Sequence, residues 1–170
     1  MTKKTKTLVV DTSVARAVRK DGTFDLIAVR CRQLLDVILS NDYQIAMSRE
    51  IESEWKKWRG FHSTFASKWL VEMAKRDRVH DVGDVVDDNL RNAILATTKN
   101  PSIRTAMQKD FLLLEAALAT DKTILSRDKK SRKYFRQAAV LIDKIREIIW
   151  ANPDEQEDKI IIWLKNGAPI

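Results

Sequence analysis

The stretch TLVVDTSVA, residues 7–15, decides the fold, because it joins a short apolar strand directly to an aspartate and two hydroxyl residues. Leu8, Val9 and Val10 are apolar, and the two valines are β-branched, as is typical of a strand that is buried on both faces. A carboxylate at the end of such a strand is costly unless something compensates its charge. Asp11 therefore either caps the helix that follows or faces a cation, and the rest of the chain has to decide between the two.

The composition indicates a globular protein. The chain has 170 residues, of which 44% are hydrophobic and 32% are charged, so we expect a single domain over residues 1–170 with a substantial core. Its four Gly and three Pro are too few for a small all-β fold with many tight turns. The single cysteine, Cys31, excludes an internal disulfide and a cysteine-based zinc site, and it fits a reducing compartment.

The charge and the hydropathy pattern indicate where the protein acts. No apolar run approaches the roughly 20 residues that cross a bilayer, and the basic N-terminus has too short an apolar run for a signal peptide. We therefore expect a cytoplasmic protein without a membrane partner. The net charge of +7 and the pI of about 9.6 favour a polyanionic partner such as a nucleic acid.

Strand patterns alternate with helical patterns along the chain. Strands are predicted at 7–10, 43–47, 122–126 and 148–150. Helices are predicted at 24–40, 49–58, 62–75, 88–98, from 110 onwards and at 154–165. The acidic stretch 81–88 is interpreted as a solvated loop and a helix start. This alternation predicts an α/β fold, a three-layer α/β/α sandwich around a central parallel sheet. Ligands of such sheets bind beyond the carboxyl ends of the strands.

Four carboxylates are predicted to meet at that edge of the sheet. Asp11 and Asp128 each follow a strand, Asp110 is predicted to open the helix that leads into strand 122–126, and Glu54 lies on the helix after strand 43–47. Crowded carboxylates raise one another's pKa unless a cation compensates them. Oxygen ligands without Cys or His fit Mg²⁺ or Mn²⁺ rather than Zn²⁺. A carboxylate-bound metal beside a basic surface indicates phosphodiester hydrolysis.

Each of these carboxylates also has a structural explanation. Asp11 and Asp110 are both placed where an aspartate caps a helix, and a glutamate such as Glu54 is common on a helix surface. Glu50, one turn earlier, is a rival ligand to Glu54. Glu115 is five residues past Asp110, about 140° around the helix, so it should not share the site.

Cations and aromatic residues flank the predicted site. The segment SRDKKSRKYFR, residues 126–136, surrounds Asp128 with cations that either hold RNA phosphates or form a solvated helix face. The cations considered for phosphate binding are Arg127, Lys129, Lys130 and Arg132. Aromatic residues recur at helical spacing over 55–69, which is typical of packing or of a partner interface, although exposed rings can also stack on bases.

Other phosphoryl-transfer sites of parallel sheets are not indicated. The chain has no Gly-x-x-x-x-Gly-Lys loop. The haloacid dehalogenase-like phosphatases need a second aspartate two residues after the first, and this chain has Ser13 at that position.

Three blocks resemble the PIN-domain nucleases, a family that includes the VapC-like toxins of prokaryotic toxin–antitoxin pairs. They are LVVDTSVA (8–15), IAMSREIESEW (45–55) and KDFLLLEAALATDKTILSRD (109–128). The matching features are an opening strand that ends in Asp11, a serine followed six residues later by Glu54, and an aspartate-led helix followed by a strand that ends near Asp128. The resemblance covers roughly residues 6–137.

The resemblance implies a metal-dependent endoribonuclease. It implies that Asp11, Glu54, Asp110 and Asp128 bind Mg²⁺ or Mn²⁺ and carry the catalysis. It further implies that Ser13 or Ser126 orients a carboxylate or a phosphate, that RNA is the substrate, and that an antitoxin protein and a second copy of the chain are partners. The alternative is an RNA- or protein-binding module on the same fold with an inactive or regulatory metal site.

Overall fold

The protein, described here from a computed structural model over residues 5–18, 25–59, 64–155 and 158–170, is built on a five-stranded sheet whose strands are all parallel. The strands lie in the order β3-β2-β1-β4-β5. They are β1 (Thr7–Val10), β2 (Gln44–Ser48), β3 (Val79–Gly83), β4 (Thr123–Leu125) and β5 (Ile149–Ala151). The predicted α/β fold is therefore confirmed.

Eight α-helices of the described ranges surround this sheet and complete the three-layer sandwich. They are α1 (Thr12–Ala17), α2 (Leu26–Ser40), α3 (Arg49–Lys57), α4 (Thr64–Lys75), α5 (Asp88–Ala96), α6 (Pro101–Leu118), α7 (Lys129–Ala138) and α8 (Asp158–Lys165). Helix α2 packs against α1, α4 and α8, whereas α6 packs against α5 and α7 on the other side. None of the described helices has the length and apolarity that a membrane span requires.

The sheet is buried because its central strands are apolar along their whole length. All four residues of β1 and all three of β4 are buried, and together with the inner faces of the helices they form one hydrophobic core. Burial of apolar surface at about 25 cal/mol per Å² is the main force that holds these layers together. Cys31 lies in this core, and burial raises the pKa of its thiol to about 12.

The strand order places a switch point between β1 and β4. The chain runs from β1 outwards to β2 and β3, and then returns through α5 and α6 to the other side of β1. Val9 pairs with Ile124 and Val10 with Leu125, so these two strands end side by side. Such a reversal opens a crevice beyond the carboxyl ends of the strands, where ligands of open α/β sheets bind.

Most predicted elements are confirmed within a few residues, and two predictions are wrong. Part of the acidic stretch 81–88 belongs to the edge strand β3 rather than to a loop, although Asp87 does cap α5 as a helix start. The helix predicted to begin at Asp110 begins at Pro101 instead, with the Asn100 side chain as its cap. The predicted starts at 24 and 62, and residues 156 and 157 of the last helix, lie outside the described residues.

Candidate functional site

A cavity of about 410 Å³ opens beyond the ends of β1 and β4. All four carboxylates that were predicted to meet at this edge line it: Asp11, Glu54, Asp110 and Asp128. They come from four different elements, the turns after β1 and β4 and the helices α3 and α6. The sheet edge therefore gathers side chains that are up to 117 residues apart in the chain.

The Asp11 carboxylate does not cap helix α1. Asp11 occupies the cap position with its backbone, but its side chain makes no hydrogen bond to the first turn of the helix. Instead its Oδ2 accepts hydrogen bonds from the hydroxyls of Ser13 at 2.5 Å and Ser126 at 2.8 Å. The capping explanation is therefore wrong for this side chain. Of the two explanations for a carboxylate at the end of a buried strand, a nearby cation is the one that remains.

Two serine hydroxyls fix the loops on either side of Asp11. The Ser13 hydroxyl accepts the backbone N–H of Arg127 at 3.1 Å, and the Ser126 hydroxyl accepts that of Asp128 at 3.1 Å. Since both hydroxyls also donate to Asp11, the turn after β1 and the turn after β4 are held together through one carboxylate. Both serines thus orient a carboxylate.

Asp128 uses one of its oxygens to begin helix α7. Its Oδ1 accepts the backbone N–H of Ser131 at 2.9 Å, which satisfies one of the free donors at the helix start. Asp128 is otherwise exposed on the cavity wall. The cap therefore orients this carboxylate without consuming both of its oxygens.

Asp110 lies in the middle of α6 rather than at its start, and this changes how it reaches the site. Helix α6 begins at Pro101, so about half of the helix precedes Asp110 in the chain. Asp110 therefore lines the cavity from the middle of the helix rather than from its end. The prediction of a helix-capping Asp110 is wrong, and the dipole explanation for this carboxylate is removed with it.

The pKa of Asp110 is raised to about 7. Burial is the main cause; the neighbouring carboxylates of Asp11, Asp128 and Glu54 raise it further, against a hydrogen bond with Ser131 that lowers it. The four groups are therefore close enough to act on one another electrostatically. The charges that shift the pKa of Asp110 are those of these carboxylates rather than those of the cations that line the same cavity.

Glu54 is placed by a well-defined helix start. The Ser48 side chain caps α3 by accepting the backbone N–H of Ile51 at 3.2 Å. Two turns later Glu54 Oε2 accepts the indole N–H of Trp58 at 3.0 Å, and Lys57 Nζ lies 3.7 Å from its Oε1. The rival Glu50 is engaged elsewhere, in an ion pair with Arg91 at 2.8 Å.

The fourth acidic residue considered on these helices, Glu115, is also kept away from the cavity. Its side chain is 2% exposed and is bound by Arg91 at 2.6 Å. The backbone N–H of Asp87 donates to it as well, at 2.9 Å. The prediction that Glu115 does not share the site of Asp110 is confirmed.

Asp11, Asp110 and Asp128 form no ion pair with any lysine or arginine of the described ranges, and only Lys57 approaches Glu54. In the conformations present in those ranges, the carboxylates do not converge into a ready-made ligand set of three or more groups. Mutual repulsion favours such a separation when no cation lies between them. The donor set, all oxygen with supporting hydroxyls, suits a hard dication such as Mg²⁺ or Mn²⁺.

The predicted phosphate-binding cations are largely engaged by acidic residues of the turn after β5. Arg127 Nε lies 3.0 Å from both carboxylate oxygens of Asp154, and Lys129 Nζ lies 3.7 Å from Glu155. Arg132 also pairs with Glu155. Of the four cations considered, Lys130 alone has no such partner among the described residues, and it is exposed.

The cavity has other cations that the sequence did not single out. Arg16, Lys57 and Lys109 line it together with the carboxylates. The guanidinium carbon of Arg16 lies 4.1 Å from the ring centre of Trp58, a cation–π contact. The available signal was the position of Arg16, one helical turn after the Asp11-Thr12-Ser13 turn, which places it over the same edge.

The aromatic stretch 55–69 is mainly packing. Trp55 and Trp69 are both buried and stack with ring centres 6.3 Å apart, and the Trp69 indole N–H donates to the Leu35 carbonyl at 2.7 Å. The packing interpretation is confirmed for these two residues. Phe61 and His62, which belong to the same stretch, lie outside the described residues.

Comparison of the chain with models of known protein families, with curated proteins and with solved structures finds no match. The function is therefore inferred from the chemistry of the site itself and from the residue blocks described above.

Proposed function

We propose that this chain is a metal-dependent endoribonuclease that hydrolyses RNA phosphodiester bonds, with Mg²⁺ or Mn²⁺ held by Asp11, Glu54, Asp110 and Asp128. The observation that carries the proposal is the charge of one cavity. Four carboxylates line it, three of them have no ion-pair partner in the described ranges, and the pKa of Asp110 is raised to about 7. A dication bound by these four carboxylates would compensate their charge.

The bound metal would lower the pKa of a water molecule and stabilise the charge that develops on the phosphate. The residues of the chain hold the ligands in place. Ser13 and Ser126 fix the Asp11 carboxylate, and Asp128 is oriented by its cap on α7. Such outer hydrogen bonds typically affect metal affinity or activity about 10- to 100-fold.

Asp110 couples the site to pH. With a pKa near 7, it holds a proton in about half of the molecules at neutral pH when no cation compensates the cavity. A bound dication would favour the ionised carboxylate, so metal binding would release the proton from Asp110. Metal affinity and activity should therefore rise from pH 6 to pH 8.

RNA as the substrate is supported by charge and by the resemblance to the PIN-domain nucleases. The net charge of +7 favours a polyanion, and three cations share the cavity with the carboxylates. The same resemblance leads us to propose a toxin role, with an antitoxin protein and a second copy of the chain as partners. Co-expression with the product of the adjacent upstream gene, followed by size-exclusion chromatography, tests both partners.

The activity is tested with RNA and Mn²⁺. We expect cleavage by the wild-type protein, its loss in EDTA, and a decrease of about 100-fold or more in Asp11→Asn. Glu52→Gln is the matched control, because Glu52 is an exposed glutamate of α3 paired with Lys56 away from the cavity. Equal cleavage by the wild-type protein and Asp11→Asn would contradict the proposal. RNA binding without cleavage by any variant would favour the binding-module alternative.

A further inference from the structure

The cations that line the carboxylate cavity differ in how they are engaged. Lys57 lies 3.7 Å from Glu54, whereas Arg16 and Lys109 have no carboxylate partner in the described parts of the chain. Most cations of the basic segment 126–136 that were considered for phosphate binding are paired with Asp154 or Glu155. The positive charge available to a substrate at the cavity is therefore that of Arg16 and Lys109.

Of these two cations, Arg16 has an aromatic contact in the described parts of the chain. Its guanidinium stacks on Trp58 at 4.1 Å, and a second cation, Lys57, lies 5.6 Å from the same ring. No hydrogen bond from the Arg16 side chain to the described residues accompanies this contact, so its N–H groups can donate to a ligand. Those N–H groups form a planar fork that matches two phosphate oxygens.

Trp58 also connects this cation to the carboxylates. Its indole N–H donates to Glu54 Oε2 at 3.0 Å, while its ring carries Arg16. One side chain therefore sets the position of the guanidinium relative to a carboxylate of the cavity. A phosphate bound by Arg16 would lie at a defined place beside the carboxylates.

We propose that Arg16, braced on Trp58, binds a backbone phosphate of the RNA at the mouth of the carboxylate cavity. The inference rests on the proposed function, because it names the substrate contact of that same site. It assigns to a single residue of α1 the role that the sequence pattern assigned to the basic segment after β4. Arg16 is a binding residue, so its loss acts on substrate affinity first.

The test is the binding of a fluorescein-labelled single-stranded RNA in EDTA, followed by anisotropy at 50 to 200 mM KCl. We expect Arg16→Ala to weaken binding about fivefold or more and to reduce the slope of log K against log[salt] by about 0.7 to 1. Arg16→Lys should retain the slope and lose part of the affinity, since it keeps the charge without the planar fork. Arg136→Ala, an exposed cation of α7, is the matched control and should change binding less than about twofold.

Three outcomes would overturn the inference: Arg16→Ala binding RNA like the wild-type protein, equal losses in Arg16→Ala and Arg136→Ala, or no RNA binding by the wild-type protein. Because Arg16 is exposed, we expect Arg16→Ala to unfold at the same temperature as the wild-type protein. That result would exclude a folding defect as the cause of weaker binding. In Mn²⁺, the same variant should raise the KM of cleavage more than it lowers kcat. RNA binding that depends on Arg16 without any cleavage would refute the nuclease activity and leave the Arg16 contact standing.

Discussion

Helices α3 and α6 carry two pairs of carboxylates that differ in whether an arginine bridges them. In one pair, Glu50 of α3 and Glu115 of α6 share a single arginine, Arg91, at 2.8 and 2.6 Å. In the other, Glu54 and Asp110 face the cavity without such a bridge. We call Arg91 with Glu50 and Glu115 the arginine cluster, and the four carboxylates of the cavity the cavity quartet.

In the arginine cluster, the negative charge of Glu50 and Glu115 is compensated by Arg91, as we expect for acidic residues with a purely structural role. Glu115 is almost fully buried and takes two hydrogen bonds from Arg91, whose pKa is raised mainly by that contact. The cavity quartet, of which Glu54 and Asp110 lie on the same two helices, is left with the raised pKa of Asp110 instead. Uncompensated charge of this kind lowers stability and is typical of sites that bind a cation or perform chemistry.

Substitution of Asp110 should give the largest effect, of opposite sign to an ordinary core mutation. The rise of the Asp110 pKa from 3.8 to about 7 lowers the free energy of unfolding by as much as about 4 kcal/mol above pH 7. The folded state keeps the proton that the unfolded state releases between these values, so rising pH favours unfolding. In EDTA, the advantage of Asp110→Asn over the wild-type protein in free energy of unfolding should grow by about 2 to 3 kcal/mol from pH 5 to pH 8, as measured by urea unfolding.

The control for this prediction is Asp143→Asn, because Asp143 is exposed and far from the cavity quartet in the chain. Its stability difference from the wild-type protein should not depend on pH in this range. Mn²⁺ should reduce the advantage of Asp110→Asn by stabilising the wild-type protein. An advantage that stays constant from pH 5 to pH 8 would mean that Asp110 is already compensated.

Removal of the arginine in the arginine cluster should destabilise the protein. Arg91→Met leaves Glu115 buried without a counter-charge, which typically costs about 3 kcal/mol or more at pH 7. The double variant Arg91→Met/Glu115→Met should recover most of this loss, since apolar residues of similar volume can replace a buried pair. Urea unfolding of the single and double variants measures both. A stability loss below about 1 kcal/mol in Arg91→Met would show that the cluster is not the structural counterpart described here.

A pair of matched substitutions on α3 compares the two sets directly through activity. Glu54→Gln should lower Mn²⁺-dependent RNA cleavage about 100-fold, which is about 2.7 kcal/mol. Glu50→Gln, one helical turn earlier, should stay within about twofold, because its carboxylate contacts Arg91 rather than the cavity. Initial rates at saturating RNA measure both variants. Comparable losses would place Glu50 in the site and remove the distinction between the two sets.

Ser126→Ala should give the smallest effect. It removes one of the two hydroxyls that hold Asp11, at 2.8 Å, while leaving all four carboxylates in place. The dissociation constant for Mn²⁺ should rise about tenfold, or about 1.4 kcal/mol. Thr120→Val is a hydroxyl control just after the end of α6, since its hydroxyl donates to the backbone carbonyls of Ala116 and Ala117. A Ser126→Ala protein with unchanged metal affinity would mean that Asp11 does not need this orientation.

Much of the fold could be predicted because its signals are local. Apolar runs gave β1 and β4, and the cap of Ser48 and the spacing after it placed Glu54. The strand β3 was missed because it lies at the sheet edge, and His80 and Asp81 on it are exposed. β3 therefore lacks the apolar run that marks β1 and β4.

The sequence predicted which carboxylates line the cavity, but not which cations are paired with other acidic residues. The carboxylates follow from the rule on strand ends, although Asp110 reaches the cavity from the middle of a helix. The pairing of Arg127 with Asp154 depends on a turn 27 residues away, which no local pattern reveals. Glu115 within the apolar run LLLEAAL was a usable signal, because a carboxylate buried there requires a cation such as Arg91.

Direct titration with Mn²⁺ at pH 7.5, with the free ion followed by electron paramagnetic resonance, tests whether the cavity quartet is a dication site. The wild-type protein and Glu50→Gln should show the same saturable site. Asp11→Asn and Asp110→Asn should bind Mn²⁺ about 100-fold more weakly or not at all. No saturable Mn²⁺ binding by the wild-type protein, or equal binding by Asp11→Asn, would contradict a cation site at the ends of β1 and β4.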